Sequence, residues 1–390
     1  MNTNTKKRIA IALACAAATT TANTLAREAL HGGATDVPAD GQAKVQLAIL
    51  LDTSGSMSGL IEQTKTQLWQ IVNTFIGAKQ DGRIPYVEVA LYEYGNDGLN
   101  PENYWVRQIQ PLTRDLDQIS EDLFSLTTNG GSEFCGAVIT RATTDLAWDP
   151  SPDVYKAVFV AGNEPFTQGP VDPANACKDA IAKGVIVNTI HCGTEADGLG
   201  GGWKAGAVLA DGKFLVIDHD KAVVHVEAPQ DAAIVGLNAD LNSTYIPVGS
   251  LGAVRLAAQS VQDANADANK DSGALLQRVL TKASVNYCNS HWDLVDACAE
   301  KDFDWAKVKD EDLPEPMRGL SVGQKQAFVA AKRAERAEIQ QKIQTLNAER
   351  DAYVKAELEN RGDGSADTLD TVVVNTVKEQ AAEKGYQFDD

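Results

Sequence analysis

At 390 residues the chain is longer than a single hydrophobic core usually grows, so two structural regions are expected. A 44% hydrophobic share is ample for packed cores, and a net charge of −19 argues against nucleic acid or anionic lipid as partners. An acidic partner would have to be drawn in by a local cation.

Lys6, Lys7 and Arg8 precede an apolar stretch from Ile9 to Ala18, followed by small and polar residues ending Thr24-Leu25-Ala26. That order is the pattern of a secretory signal, so residues 1–26 are expected to be a signal peptide cleaved after Ala26. Export to a periplasm or beyond follows, and no segment is long enough to span a bilayer once the signal is gone. Ala12-Leu13-Ala14-Cys15 is a loose lipoprotein-box alternative, with its leucine one position too close to the cysteine. Removing the signal takes away three cations and no acid, so the remainder is more acidic still.

Residues 27–43 lack periodicity and read as a linker. Val45 to Leu51 is then an apolar strand ending abruptly in Asp52-Thr53-Ser54-Gly55-Ser56. A buried strand that delivers one carboxylate and two serine hydroxyls to its end builds a nest of hard oxygens suited to Mg²⁺. Capping of the following helix is the plainer use of the same residue types. Leu60, Ile61, Leu68, Ile71, Val72, Phe75 and Ile76 share one side of a helix predicted over Met57 to Ile76. Strand, oxygen-rich turn, helix is the order in which open α/β sheets place ligand sites.

Further along, Tyr86 to Tyr94 alternates as a strand, with Tyr104 to Ile109 as its antiparallel neighbour across Gly95-Asn96-Asp97-Gly98. Helices are predicted over Asp115 to Leu126, Glu133 to Leu146, Ala174 to Lys183 and Trp203 to Leu209. Strands are predicted over Val154 to Ala161, Val185 to Ile190 and Phe214 to Ile217. Alternating strands and helices argue for an α/β, mostly parallel sheet covered on both faces. From Glu227 strand signals nearly vanish. Helices are expected over Ala228 to Leu241, Leu251 to Asn269, Ala274 to Tyr287 and, longest, about 321–360, with too few heptads for a clear coiled coil. A helical hairpin or lever packed against the first region fits that pattern.

Asp52-Thr53-Ser54-Gly55-Ser56-Met57 resembles the first segment of the metal-ion-dependent adhesion site of von Willebrand factor type A domains. The resemblance covers residues 44–226, with 227–390 as a helical C-terminal region. It implies a doubly wound, Rossmann-like sheet carrying one divalent ion, Mg²⁺ or alternatively Mn²⁺ or Ca²⁺. It also implies that a second loop gives a hydroxyl, which Ser132 would supply in Gly130-Gly131-Ser132. A third loop should give an acid, but Ala161-Gly162-Asn163-Glu164 puts glycine at that position, leaving Asn163 or Glu164 to supply an oxygen. Glu133 reads better as an acid at a helix start than as a ligand.

Five cysteines lie beyond the signal, an odd number in an oxidising compartment. A Cys288–Cys298 disulfide is plausible, and Cys135 with Cys192 is favoured over Cys177 with Cys192. Gly198 to Gly202 lacks the spacing of a phosphate loop, Asp263 to Ala274 fails as a calcium loop, and Arg361-Gly362-Asp363 is a common tripeptide. The five histidines form no zinc spacing, and no nucleophile elbow is present.

The resulting expectation is a non-enzymatic, exported binding module whose ion, on Asp52, Ser54, Ser56 and Ser132, captures an Asp or Glu of a protein partner. The alternatives are a structural, oligomerising scaffold and, further off, a metal-assisted hydrolase using Glu133, Glu164 or His191 as base.

Overall fold

The structure is a computed structural model describing residues 43–57, 69–217, 226–268, 273–361 and 369–388. The expected signal peptide, the linker to residue 42 and the middle of the predicted helix after Met57 (58–68) lie outside the described residues. So do His31, His219 and His225, most of the Arg361-Gly362-Asp363 tripeptide, and the lipoprotein-box cysteine.

Six strands form one sheet: β1 (Lys44–Asp52), β3 (Tyr86–Tyr94), β4 (Val106–Thr113), β5 (Tyr155–Gly162), β6 (Ile186–Cys192) and β7 (Phe214–Ile217). Their spatial order is β4-β3-β1-β5-β6-β7, with only β4 antiparallel. This is the mostly parallel, doubly wound α/β sheet expected. β1 is central because it is apolar on both sides. Val45, Leu47, Ile49 and Leu51 face one core, whereas Ala48 and Leu50 face the other. Such two-sided burial is what a near-continuous hydrophobic strand requires.

One face is covered by α2 (Cys135–Asp145), α3 (Pro173–Ala182) and α5 (Trp203–Leu209). The other takes helical residues 69–73 and α1 (Leu116–Ser125), which Asp115 caps by accepting from the Gln118 N–H at 3.0 Å. After β6 comes α4 (Glu195–Gly200), a short helix where only a loop was expected.

Beyond residue 226 the chain is helical, as expected: α6 (Asp231–Gly236), α7 (Asn238–Asn242), α8 (Gly252–Ala268), α9 (Ala274–Lys282), α10 (Leu294–Ala297) and α11 (Val322–Arg361). These helices continue the first core. Ile234, Leu241, Leu276, Val279, Ile339 and Ile343 join the apolar cluster that contains β1 and β5. Three further elements have no counterpart in the periodicity reading. α12 (Leu369–Ala382) lies on the same face, and β8 (Tyr386–Phe388) pairs antiparallel with β2 (Ala78–Gln80). Both strands are too short to alternate visibly. The Val372-Val373-Val374 run in α12 favours strand by local preference and is held helical by tertiary packing.

The disulfide expectation is corrected: none of the five described cysteines is disulfide-bonded. Cys135 and Cys177 point into the core of one sheet face and Cys192 into the other, so the sheet itself separates the favoured pair. Cys298 packs against the small cluster of Ile246, Leu294 and Met317. Among the described residues no helix is long and apolar enough to cross a membrane.

Candidate metal centre

The chain runs from β1 to β3 and β4 on one side, then returns to β5 on the other. The crevice between the ends of β1 and β5 is therefore the switch point of the sheet, where such folds bind ligands. Asp52 ends β1 there, fully buried. One of its oxygens, Oδ1, accepts the Ser54 N–H at 2.7 Å. The other, Oδ2, is buried with no hydrogen-bond partner. Ser54 Oγ lies 2.8 Å from Ser56 Oγ, and the Ser56 hydroxyl donates to Asn163 Oδ1 at 3.0 Å. First and third loops thus meet, and the crevice opens to solvent at Gly55 and Ser56.

The second loop is clamped to the first by backbone bonds. The Gly55 N–H donates to Gly130 O at 3.1 Å, and the Asn129 N–H to Thr53 O at 3.1 Å. Gly131 has φ 135°, and a Cβ on it would lie 1.5 Å from Gly95 O, so only glycine permits this approach. The glycine pair brings half-buried Ser132 and buried Glu133 to the crevice. Glu133 is not in the first helical turn, since α2 begins at Cys135 with Phe134 before it. Its carboxyl lies on the Ser54 side of the crevice, and its N–H donates to Gln168 Oε1 at 2.9 Å.

Gly162 ends β5 at the position where the resemblance asks for an acid. A Cβ there would meet Tyr94 Oη at 2.5 Å and Trp203 Cη2 at 3.1 Å. The Tyr94 hydroxyl is fixed by donating to Ala161 O at 3.0 Å, so it cannot retreat. The indole N–H of Trp203 donates to Glu164 O at 2.8 Å, which pins the third loop. Glu164 is half-buried, its charge raises the Glu133 carboxyl, and its carboxylate makes no hydrogen bond to the serines.

Burial pushes the Asp52 carboxyl up to about 7, against the Ser54 hydrogen bonds. Burial, then the Glu164 charge, push Glu133 up to about 6. A buried carboxylate with an unpartnered oxygen, ringed by hydroxyl and amide oxygens, is chemically suited to a hard cation. Among the described residues no group of three or more His, Cys, Asp and Glu is disposed to hold a metal, so any ion here would rest largely on hydroxyl and amide oxygens. His191, the candidate base, is the penultimate residue of β6, buried 5.5 Å from the Trp203 ring, and burial lowers its pKa.

The structure brings together Asp52, Ser54, Ser56 and Asn163 as the sequence reasoning grouped them, and adds Tyr94 and Glu133 to the walls of the crevice. The available signal was the Gly130-Gly131 pair, which brings the next residues against the first loop.

No protein-family model matches the sequence, and no curated protein does. Among solved structures, BatB from Bacteroides thetaiotaomicron is 18% identical over 45% of this chain and 90% of its own, with a TM-score of 0.35. The SpRpn10 VWA domain is 18% identical over 45% of this chain and 88% of its own, at 0.34. Proximal thread matrix protein 1 from the mussel byssus, with a zinc-occupied MIDAS motif, is 17% identical over 46% of this chain and 43% of its own, at 0.36. These likenesses concern fold and carry no residue roles. By its strand order and by the Asp-x-Ser-x-Ser turn at the end of its central strand, the chain has a von Willebrand factor type A-like fold.

Proposed function

We propose that the chain is an exported protein-binding module that captures an acidic side chain of a partner through a divalent ion. Asp52, Ser54, Ser56, Ser132 and Asn163 would hold the ion, with Glu164 at the rim. When bound, the ion would supply a Lewis-acidic position for a partner carboxylate. The protein's residues fix the oxygens and keep the base of the crevice dry. The observation that carries this reading is Asp52 Oδ2, a buried carboxylate oxygen without a protein partner at the switch point of the sheet. The signal-like N-terminus supports the export half, and the acidity of the chain makes an ion the natural bridge to an acidic ligand.

The scaffold alternative asks α11 to drive assembly. Its apolar residues Val329, Ile339 and Ile343 are already buried within the chain, which favours capture instead.

The test is capture of envelope proteins on the immobilised full chain in Mg²⁺, with elution by chelator, repeated with Asp52→Ala. Elution of a partner in chelator and its loss in the variant, with circular dichroism unchanged, is the expected result. Identical capture in chelator and in the variant would refute the proposal.

A further inference from the structure

We infer that Glu133 supplies the second carboxylate of the metal centre, in place of an acid on the third loop. The inference rests on the metal reading above and extends it to a residue that no comparison assigns.

A hard divalent ion usually takes several oxygen ligands. In this crevice Asp52 gives the one buried carboxylate from the first loop. The third loop cannot add one at residue 162, because the space a side chain needs is filled by the Tyr94 hydroxyl, the Trp203 ring and, at 3.3 Å, the Cβ of Asp52. Glu164 follows two residues later, but its backbone is tied to Trp203 and its side chain is only half-buried.

Glu133 occupies the remaining side of the crevice. It is 5% exposed, and among the described residues no Lys, Arg or His forms an ion pair with it. The absent side chain of Gly95 shows how close the two acids are. The position its Cβ would take lies 2.7 Å from Asp52 Oδ1 and 2.8 Å from Glu133 Cγ. The Ser54 hydroxyl lies beside them, 2.8 Å from Ser56 Oγ, whose own proton goes to Asn163 Oδ1. Its one proton is therefore given to Ser56 and serves neither carboxylate. The two buried acids then have more lone pairs than the protein has donors for. Buried charges are paired or coordinate metals. The independent sign that something else completes the group is Asp52 Oδ2, fully buried and unpartnered.

The main rival is a helix-start role, in which Glu133 interacts with the N-terminus of α2. The structure argues against it, since Glu133 precedes the helix and its side chain lies beside Asp52 at the Gly95 position.

The experiment is calorimetric titration of the full chain with Mn²⁺, for wild type, Glu133→Gln, Glu164→Gln and Asp52→Ala, with melting of each measured in chelator. The expected result is one ion on the wild type, at least tenfold weaker binding in Glu133→Gln, and less than threefold change in Glu164→Gln. The metal-free melting point of Glu133→Gln should not fall, because the substitution removes an unpaired buried acid. Wild-type affinity in Glu133→Gln overturns the inference and leaves the Asp52 site standing, and so does a tenfold loss in Glu164→Gln alone. No Mn²⁺ binding to the wild type overturns both. Should Glu133→Gln fold poorly, the anomalous Mn²⁺ peak in a soaked wild-type crystal decides. A peak coordinated by Glu133 sustains the inference, and a peak on Asp52 with Glu133 turned away defeats it.

Discussion

Asp52, Gly131 and Gly162 divide the work of the crevice between what is present and what is missing. Asp52 provides charge, and the two glycines provide the volume that lets neighbouring loops close on it. The absence of an acid at 162 is therefore a packing requirement of Tyr94 and Trp203, not an open vacancy. Gly162→Asp, intended to restore the usual third-loop acid, should overpack the base of the crevice and cost about 1–3 kcal/mol. A lowered urea midpoint without any gain in Mn²⁺ affinity is the expected outcome. Higher affinity at unchanged stability would show that Tyr94 can move aside. The grouping of Asp52, Ser54 and Ser56 at the end of a buried strand was legible from sequence, because the apolar run stops abruptly at Asp52. The place of Glu133 beside Asp52 was not, because an acid two residues before a helix reads as a charge at the helix start.

Between elements, the sheet region and the helical region are joined by buried ion pairs. Arg278 on α9 reaches Asp117 on α1 at 2.7 Å and Asp263 on α8 at 2.6 Å. Lys282 adds a 2.8 Å contact to Asp263, and the Tyr287 hydroxyl donates to Asp117. Arg278→Ala leaves Asp117 buried without its cation and Asp263 with Lys282 alone, a loss of about 3–5 kcal/mol by analogy with other buried pairs. Urea unfolding of the full chain checks it. Burial by itself would raise the Asp263 carboxyl, but Arg278 and Lys282 outweigh it and hold it down to about 2. Lys282 moves the other way from an ordinary paired lysine, down to about 8, because its own burial exceeds the pull of Asp263. It stays charged throughout the acid range. A carboxyl that binds protons less readily when folded stabilises the fold above about pH 4, and that contribution disappears as pH falls toward 2. The amount is about 2 kcal/mol. Asp263→Asn should therefore show a shallower fall of the urea midpoint between pH 5 and pH 2.5 than the wild type. Equal slopes would remove Asp263 as the source. None of these pairings is visible in the sequence, since the partners lie 15 to 170 positions apart.

At the scale of the molecule, the C-terminal elements return to the sheet. Asn188 of β6, in the middle of the buried face, exchanges hydrogen bonds with Gln380 of α12, and the Tyr155 hydroxyl donates to the same Gln380 at 2.8 Å. Val373, Val377, Ala381 and Tyr386 join the cluster around Phe75 and Tyr155. A chain ending at residue 361 should thus be destabilised by on the order of 5 kcal/mol, at roughly 1.5–3 kcal/mol for each large apolar side chain uncovered. A single, shifted unfolding transition is expected, and an unchanged midpoint would mean that α12 and β8 dock without holding the sheet.

The alternation of apolar strands and amphipathic helices, the central place of a two-sided apolar β1 and the oxygen-rich turn at its end were set by the sequence, because each depends on residues within one or two turns of chain. Three things were decided only by tertiary structure: the return of α12 and β8, the placement of the cysteines on opposite sheet faces, and the meeting of Glu133 with Asp52. These arise from contacts between segments tens to hundreds of residues apart. There the partner's identity, and not local periodicity, determines which way a side chain faces.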